Sequence, residues 1–187
     1  MAKRKVSGKK KLKLKKKAGV KKTTAVKRKV VKRKKKVLAI PKGYHSVTPY
    51  MIFDQAANAI EFYKKAFGAK ATMCMEHGGK VGHAELVIGD AKIMLSDECP
   101  EMGAHSPKAY GGSSIMIHLY VKNADAVVAK AASLGAKITR PMENMFYGDR
   151  SGMIQDPFGY SWCISTHIED LTKAQMKKRS AELFGKK

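Results

Sequence analysis

From residue 46 onward the apolar positions switch between a period of two and a period near 3.6, and they do so in the same order twice. Residues 46–53 read as a strand carrying Val47, Met51, Ile52 and Phe53. Ala56, Ile60, Tyr63 and Phe67 then fall on one face of a helix, with Asp54 as the expected N-cap and Gly68 as the residue that ends it. Residues 71–76 and 81–88 form a hairpin across His77-Gly78-Gly79-Lys80, and Gly89-Asp90 turns the chain into a strand over 91–96. A long loop follows, over 97–112.

The second pass begins at residues 114–121, where Ile115, Ile117, Leu119 and Val121 share a face. A helix over 123–134 has Val127, Ala131 and Leu134 as its expected buried stripe. A strand over 137–140 runs up to Pro141, and strands over 153–155 and 160–165 flank the turn Asp156-Pro157-Phe158-Gly159. The two passes match in sequence at an offset of 67 residues. Phe67-Gly68-Ala69-Lys70 returns as Leu134-Gly135-Ala136-Lys137, and Ala59-Ile60 as Ala126-Val127. A repeat of this length is half a domain rather than a solenoid unit. The expected fold class is therefore α+β: two tandem βαβββ modules, about 45–97 and 113–166, forming a curved mixed sheet around a cleft with helices outside. A last amphipathic helix spans about 172–184, with Thr172 and Gln175 at capping-box spacing.

Charge separates this domain from what precedes it. Residues 1–37 hold 20 Lys or Arg and no acidic residue, whereas residues 38–187 hold 18 basic and 15 acidic ones. Sparse apolar positions and self-repulsion predict a disordered tail at 1–37, a domain over 38–170 and a terminal helix over 171–187. Pro41-Lys42-Gly43 marks the hinge between tail and domain. The tail lacks the apolar run of a secretory signal, and no stretch of the chain is apolar for long enough to span a membrane. Three scattered cysteines, Cys74, Cys99 and Cys163, suit a reducing, cytoplasmic setting.

The tail has no aromatic residue to stack on bases, so it is expected to bind DNA or RNA through phosphates and without sequence preference. The contacting residues would be Lys9, Lys10, Lys11, Lys15, Lys16, Lys17, Lys27, Arg28, Lys29, Lys32, Arg33, Lys34, Lys35 and Lys36. A nucleoid-associated location follows, or a nuclear one if the source is eukaryotic, since Lys27-Arg28-Lys29 and residues 32–36 would also serve as an import signal. Anionic lipid is a weaker match, because the basic run has no apolar face.

Three motifs carry a family resemblance. Residues 59–69 (Ala-Ile-Glu-Phe-Tyr-Lys-Lys-Ala-Phe-Gly-Ala), Gly82-His83-Ala84-Glu85-Leu86, and Asp156-Pro157-Phe158-Gly159-Tyr160-Ser161-Trp162 resemble the glyoxalase/bleomycin-resistance group. This is the vicinal oxygen chelate superfamily, and its PhnB-like branch is the most similar. The resemblance covers roughly residues 44–170. It implies a homodimer and a small-molecule ligand, with a lyase- or isomerase-type activity; the alternative is a non-enzymatic nucleic-acid-associated protein in which the tail acts and the domain is a scaffold or drug-sequestering module. It also implies, for metal-dependent members, two ligands from each module holding a divalent ion. Here those positions fall near Val47 or Thr48, on residues 91–96 where Lys92 and Ser96 are the polar choices, on Met116 and on Cys163. No cofactor is expected, and metal-dependent glyoxalase I activity is not expected.

Another polar group stands in the same strands. His83 and Glu85 alternate with Ala84 and Leu86, so they share a face and form the candidate catalytic pair. His118 shares the opposite face from Ile117 and Leu119 with Met116 and Tyr120. If both faces line the cleft, the pair serves as an oriented general base, or with His118 as three metal ligands; otherwise it is an ordinary exposed pair beside a core histidine. The segment Phe146-Tyr147-Gly148-Asp149-Arg150-Ser151-Gly152 offers an acid, a guanidinium fork and an aromatic wall, or else a turn whose charges pair locally. His118, Tyr120, Tyr147, Asp149 and Arg150 are thus the candidate substrate-binding residues. Trp162 is expected in the core, and Cys163 on the cleft side as an inert thiol.

Overall fold

The structure is a computed structural model that describes residues 37–185. The expectations for the basic tail, through Lys36, lie outside these residues. The first module runs β1 (Tyr50–Phe53), α1 (Ala56–Phe67), β2 (Lys70–His77), β3 (Lys80–Ile88), β4 (Ala91–Asp97). The second runs β5 (Met116–Tyr120), α2 (Ala124–Ser133), β6 (Lys137–Asn144), β7 (Asp149–Gln155), β8 (Ser161–His167), and α3 (Lys173–Phe184) follows. Hydrogen bonding orders the strands β1-β4-β3-β2 in one sheet and β5-β8-β7-β6 in the other. Each sheet has one parallel pair, β1 with β4 and β5 with β8. The tandem βαβββ duplication is thus present, as two four-stranded mixed sheets of identical order.

Local details depart from the sequence pattern where distant groups intervene. β1 starts at Tyr50 rather than 46, directly after Pro49, whose nitrogen has no hydrogen to give the ladder. Asp54 does not cap α1; Asp97, at the end of β4, accepts the Ala56 amide at 2.6 Å, and Asp54 pairs with Lys108 instead. The stripe buried by α2 is Ala124, Val128 and Ala131, one residue out of phase at its centre, with Val127 and Leu134 half-buried. β6 continues through Pro141 because it is an edge strand with a register shift between Arg140 and Glu143, where a missing donor costs no ladder bond.

An aromatic seam holds the modules together. Ala84, Leu86, Ile93 and Leu95 form the buried face of the N-terminal sheet, and Ile154, Trp162 and Ile164 that of the C-terminal sheet. α1 packs against α2. Tyr63 and Phe67 of α1 reach Trp162, with ring centroids 5.3 and 4.7 Å apart. Phe53 meets Phe158 and Tyr160, whose hydroxyl bonds the Ile52 carbonyl. Asp156 sits at the centre and accepts from Tyr63 Oη, Trp162 Nε1 and the Phe158 and Tyr160 amides. Burial pushes its carboxyl above the ordinary aspartate value despite these donors. α1 and α2 each pack on their own sheet as well as on one another, so one face of each sheet is left free of helix.

Candidate functional site

The N-terminal sheet builds one polar group on its helix-free face. Strand alternation turns Ala84 and Leu86 inward and leaves His83 and Glu85 on the other side. Glu85 is only 8% exposed. Lys92, brought alongside by β4, donates to Glu85 Oε2 at 2.8 Å, and Thr72 Oγ1 lies at 3.4 Å. His83 Nε2 stands 3.8 Å from the other Glu85 oxygen, and its Nδ1 is 3.1 Å from Tyr50 Oη. The Lys92 ammonium and then the Tyr44 hydroxyl hold the Glu85 carboxyl down at about 2. A carboxylate this acidic is a fixed anion and a poor proton acceptor at neutral pH. Met73 lies opposite Glu85 and Met75 opposite His83, both thioethers exposed.

The C-terminal sheet builds a second group around Asp149, which is 3% exposed. Tyr120 Oη donates to one oxygen at 2.7 Å, and His167 Nδ1 lies 2.7 Å from the other. His167 Nε2 is 3.1 Å from the exposed Asp170, and the His118 ring stacks on Tyr120 at 4.6 Å. Asp149, and after it Asp170, raise the imidazole above its ordinary value. Asp149 also pushes the Tyr120 hydroxyl up to about 12. The chain after β8 folds back on Gly148, whose carbonyl accepts the Ile168 and Glu169 amides. Gly148 has φ +97, and a Cβ there would lie 2.3 Å from the Glu169 oxygen, so glycine is what lets this closure form.

A groove of about 750 Å³ runs beside the second group, lined by Phe67, Ile88, Leu119, Tyr120, Val121 and His167. Another hollow, of about 720 Å³, is formed by the loop around His105 and Tyr110 with Tyr160, and none of the candidate catalytic or substrate-binding residues lines it.

His83 with Glu85, and His118 with Tyr120 and Asp149, thus form two separate groups. No hydrogen bond or ion pair joins them among the described residues. Tyr147 sits in the turn before β7 and packs edge-on against Phe146. Arg150 does not join Asp149: neighbours alternate along β7, so its guanidinium lies on the α2 side in a fork with Asp125 at 2.6 and 2.7 Å. Cys163 is buried with its Sγ 3.2 Å from Ser151 Oγ, and Trp162 is in the core. Sequence reasoning missed Tyr44, Tyr50, His167 and Asp170. His167 was within reach, because continuing the period of β8 by two residues adds it to the face of Cys163 and Ser165.

The residues present do not fit the divalent metal that the superfamily implies. Thr48 precedes β1 and bonds the His45 carbonyl, Met116 offers a thioether, Cys163 is engaged with serine hydroxyls, and the Lys92 ammonium is no ligand. Among the described residues, no three His, Cys, Asp or Glu side chains are grouped to hold an ion.

The chain belongs to the Glyoxalase/Bleomycin resistance protein/Dioxygenase superfamily, whose family profile matches residues 45–164. An uncharacterized protein of Mycobacterium bovis is 35% identical over 136 residues, spanning 71% of this chain and 90% of its own. Among solved structures, an Arabidopsis thaliana gene product is 27% identical with a TM-score of 0.54, covering 65% of this chain and 98% of that one. A PhnB protein from Bacillus cereus shares the fold at 18% identity and a TM-score of 0.53, over 65% and 99% of the two chains. No helix among the described residues is long and apolar enough to cross a membrane.

Proposed function

We propose that the domain binds a small polar molecule without the superfamily's metal, and that it does so as a homodimer. One observation carries this reading: each sheet presents an ion-paired or hydrogen-bonded carboxylate on a helix-free face ringed by exposed apolar side chains. Tyr50, Met73 and Met75 surround Glu85 and His83, while Met116 and Tyr120 flank His118 and Asp149; all five are 44% exposed or more. Ligand sites need concave walls, and within one chain no hydrogen bond or ion pair among the described residues joins the two groups. A second copy supplies the missing wall. Thioethers give such a wall adaptable apolar contact, and the fixed carboxylates orient ligand hydroxyls or amines. His83 and His167 are the groups able to transfer protons, which suits a lyase or isomerase reaction on an oxygen-bearing substrate. Sedimentation should give the mass of two chains, and Met73→Glu with Met75→Glu should give one. A wild-type protein that stays monomeric at all concentrations would refute the dimer.

The tail supports a second, compatible reading. Twenty basic residues in 37, with no acid among them, favour polyanions such as DNA or RNA. In a gel shift over a salt series, the full chain should bind and release by about 0.5 M salt. A chain starting at Leu38 should not bind. Equal binding by both would remove the tail from this role.

A further inference from the structure

The described residues include three arginines, and two of them are neutralised by a carboxylate. Arg150 forks onto Asp125 at 2.6 and 2.7 Å, and Arg179 forks onto Glu169 with both bonds at 2.7 Å. Arg140, on the edge strand β6, pairs with no acid among the described residues. Its Nη1 lies 3.3 Å from the Met145 thioether, and its Nη2 donates to Ser151 Oγ at 2.9 Å. Its Nε is sealed from solvent and meets no acceptor. Glu143 stands opposite Ser151 in the register yet forms no ion pair among the described residues, and both oxygens of Asp149 are engaged by Tyr120 and His167. The floor beneath the guanidinium is neutral. Ser151 Oγ also accepts from Ser165 Oγ at 3.0 Å, which leaves its own hydrogen for the Cys163 sulfur at 3.2 Å. By alternation along β7, Ser151 shares the face of Asp149, so this cation belongs to the helix-free face of the C-terminal sheet.

We propose that Arg140 is the anion-binding residue of this face, and that the domain's ligand carries an oxyanion, a carboxylate or a phosphate group. The inference rests on the small-molecule reading and gives that molecule its charge. Arg140 is part-buried, so its guanidinium gives up hydration that no protein anion among the described residues offsets. A guanidinium has five N–H groups, and only two are used here, so a planar pair of oxygens finds donors ready. Because Nε is sealed, the oxyanion docks end-on across Nη1 and Nη2. Ser151 and Asp149 are two residues apart, about 7 Å along β7. A ligand a few bonds long therefore sets its oxyanion on Arg140 and a hydroxyl or amine on Asp149. The face that does not fit a divalent metal thus has a positive charge of its own, shaped to take two oxygens at once where an ammonium is a point charge.

NMR of the full chain tests this with acetate and inorganic phosphate as probes, the ionic strength being held constant with chloride. The arginine Nε–Hε peaks are followed, and that of Arg140 is identified through bonds from the backbone and by its loss in Arg140→Lys. This peak should shift and saturate in the millimolar range with at least one of the two anions. The Arg150 and Arg179 peaks, already held by carboxylates, should barely move. Saturation by acetate alone assigns a carboxylate ligand, and by phosphate alone a phosphorylated one. In a melt, anionic compounds that stabilise the wild type should bind Arg140→Met about tenfold more weakly, the factor of a lost charged hydrogen bond. An Arg140 peak that saturates with neither anion overturns the site, as does an anionic compound that binds Arg140→Met as tightly as wild type. If Arg140 saturates while the wild type stays monomeric at all concentrations, the anion site stands and the dimer reading falls.

Discussion

Glu85 and Asp149 are both buried carboxylates, and their neighbours give them different tasks. Lys92 and Tyr44 hold the folded Glu85 at about 2, below the ordinary 4.5. A depressed carboxyl stabilises the fold above its unfolded value and loses that contribution as pH falls through the folded one. Urea midpoints of the wild type should therefore drop between about pH 4.5 and 2, and Glu85→Gln should drop less over that window. His167 behaves with the opposite sign. Its folded value is raised by Asp149 and Asp170, so its contribution is complete below 6.5 and disappears as pH rises through the folded value. In an NMR titration the His167 ring should titrate above 6.5, and Asp149→Asn should bring it back toward that value. Alternation along β3 and β5 made His83, Glu85, His118 and Tyr120 readable from the sequence. Tyr44 and Asp170 were not readable, because a turn and a loop closure bring them in and neither leaves a period.

At the scale of elements, the sequence shows each strand and helix but misplaces ends governed by distant groups. The helix face Ala56, Ile60, Tyr63 and Phe67 is legible because the core enforces the period. Its N-terminus is not, since Asp97 from β4 satisfies the Ala56 amide. Pro141 looks like a stop, yet an edge strand tolerates it. α3 shows the converse, a helix with strong local signals and no buried residue. Thr172 and Gln175 form the reciprocal cap at its start. Thr172→Ala should cost that helix about 1 kcal/mol. The far-UV helical signal should then fall slightly while the main unfolding transition stays in place.

For the whole molecule, duplication was plain in the 67-residue offset, but the choice of which side chains pack between the modules was not. That choice belongs to long-range contacts among Tyr63, Phe67, Asp156 and Trp162, which no local pattern records. Asp156 concentrates them: replacing it with Ala leaves two side-chain donors and two amides facing an apolar seam. Asp156→Ala should cost about 3 kcal/mol or more in chemical denaturation, whereas a change at the exposed Tyr110 should cost almost nothing.

In the dimer proposed above, a second copy brings the Glu85 and Asp149 groups together in one site. The most direct measurement is a ligand-screening melt with EDTA present, run on wild type, Glu85→Ala and Asp149→Asn. A compound at a hundred times its dissociation constant should raise the wild-type midpoint by about 5 to 10 °C. The same compound should lose most of that effect in both variants, because the proposed dimer places both carboxylates in one composite cleft. A compound that stabilises all three proteins alike, or a broad screen in which none stabilises the wild type, would contradict the account.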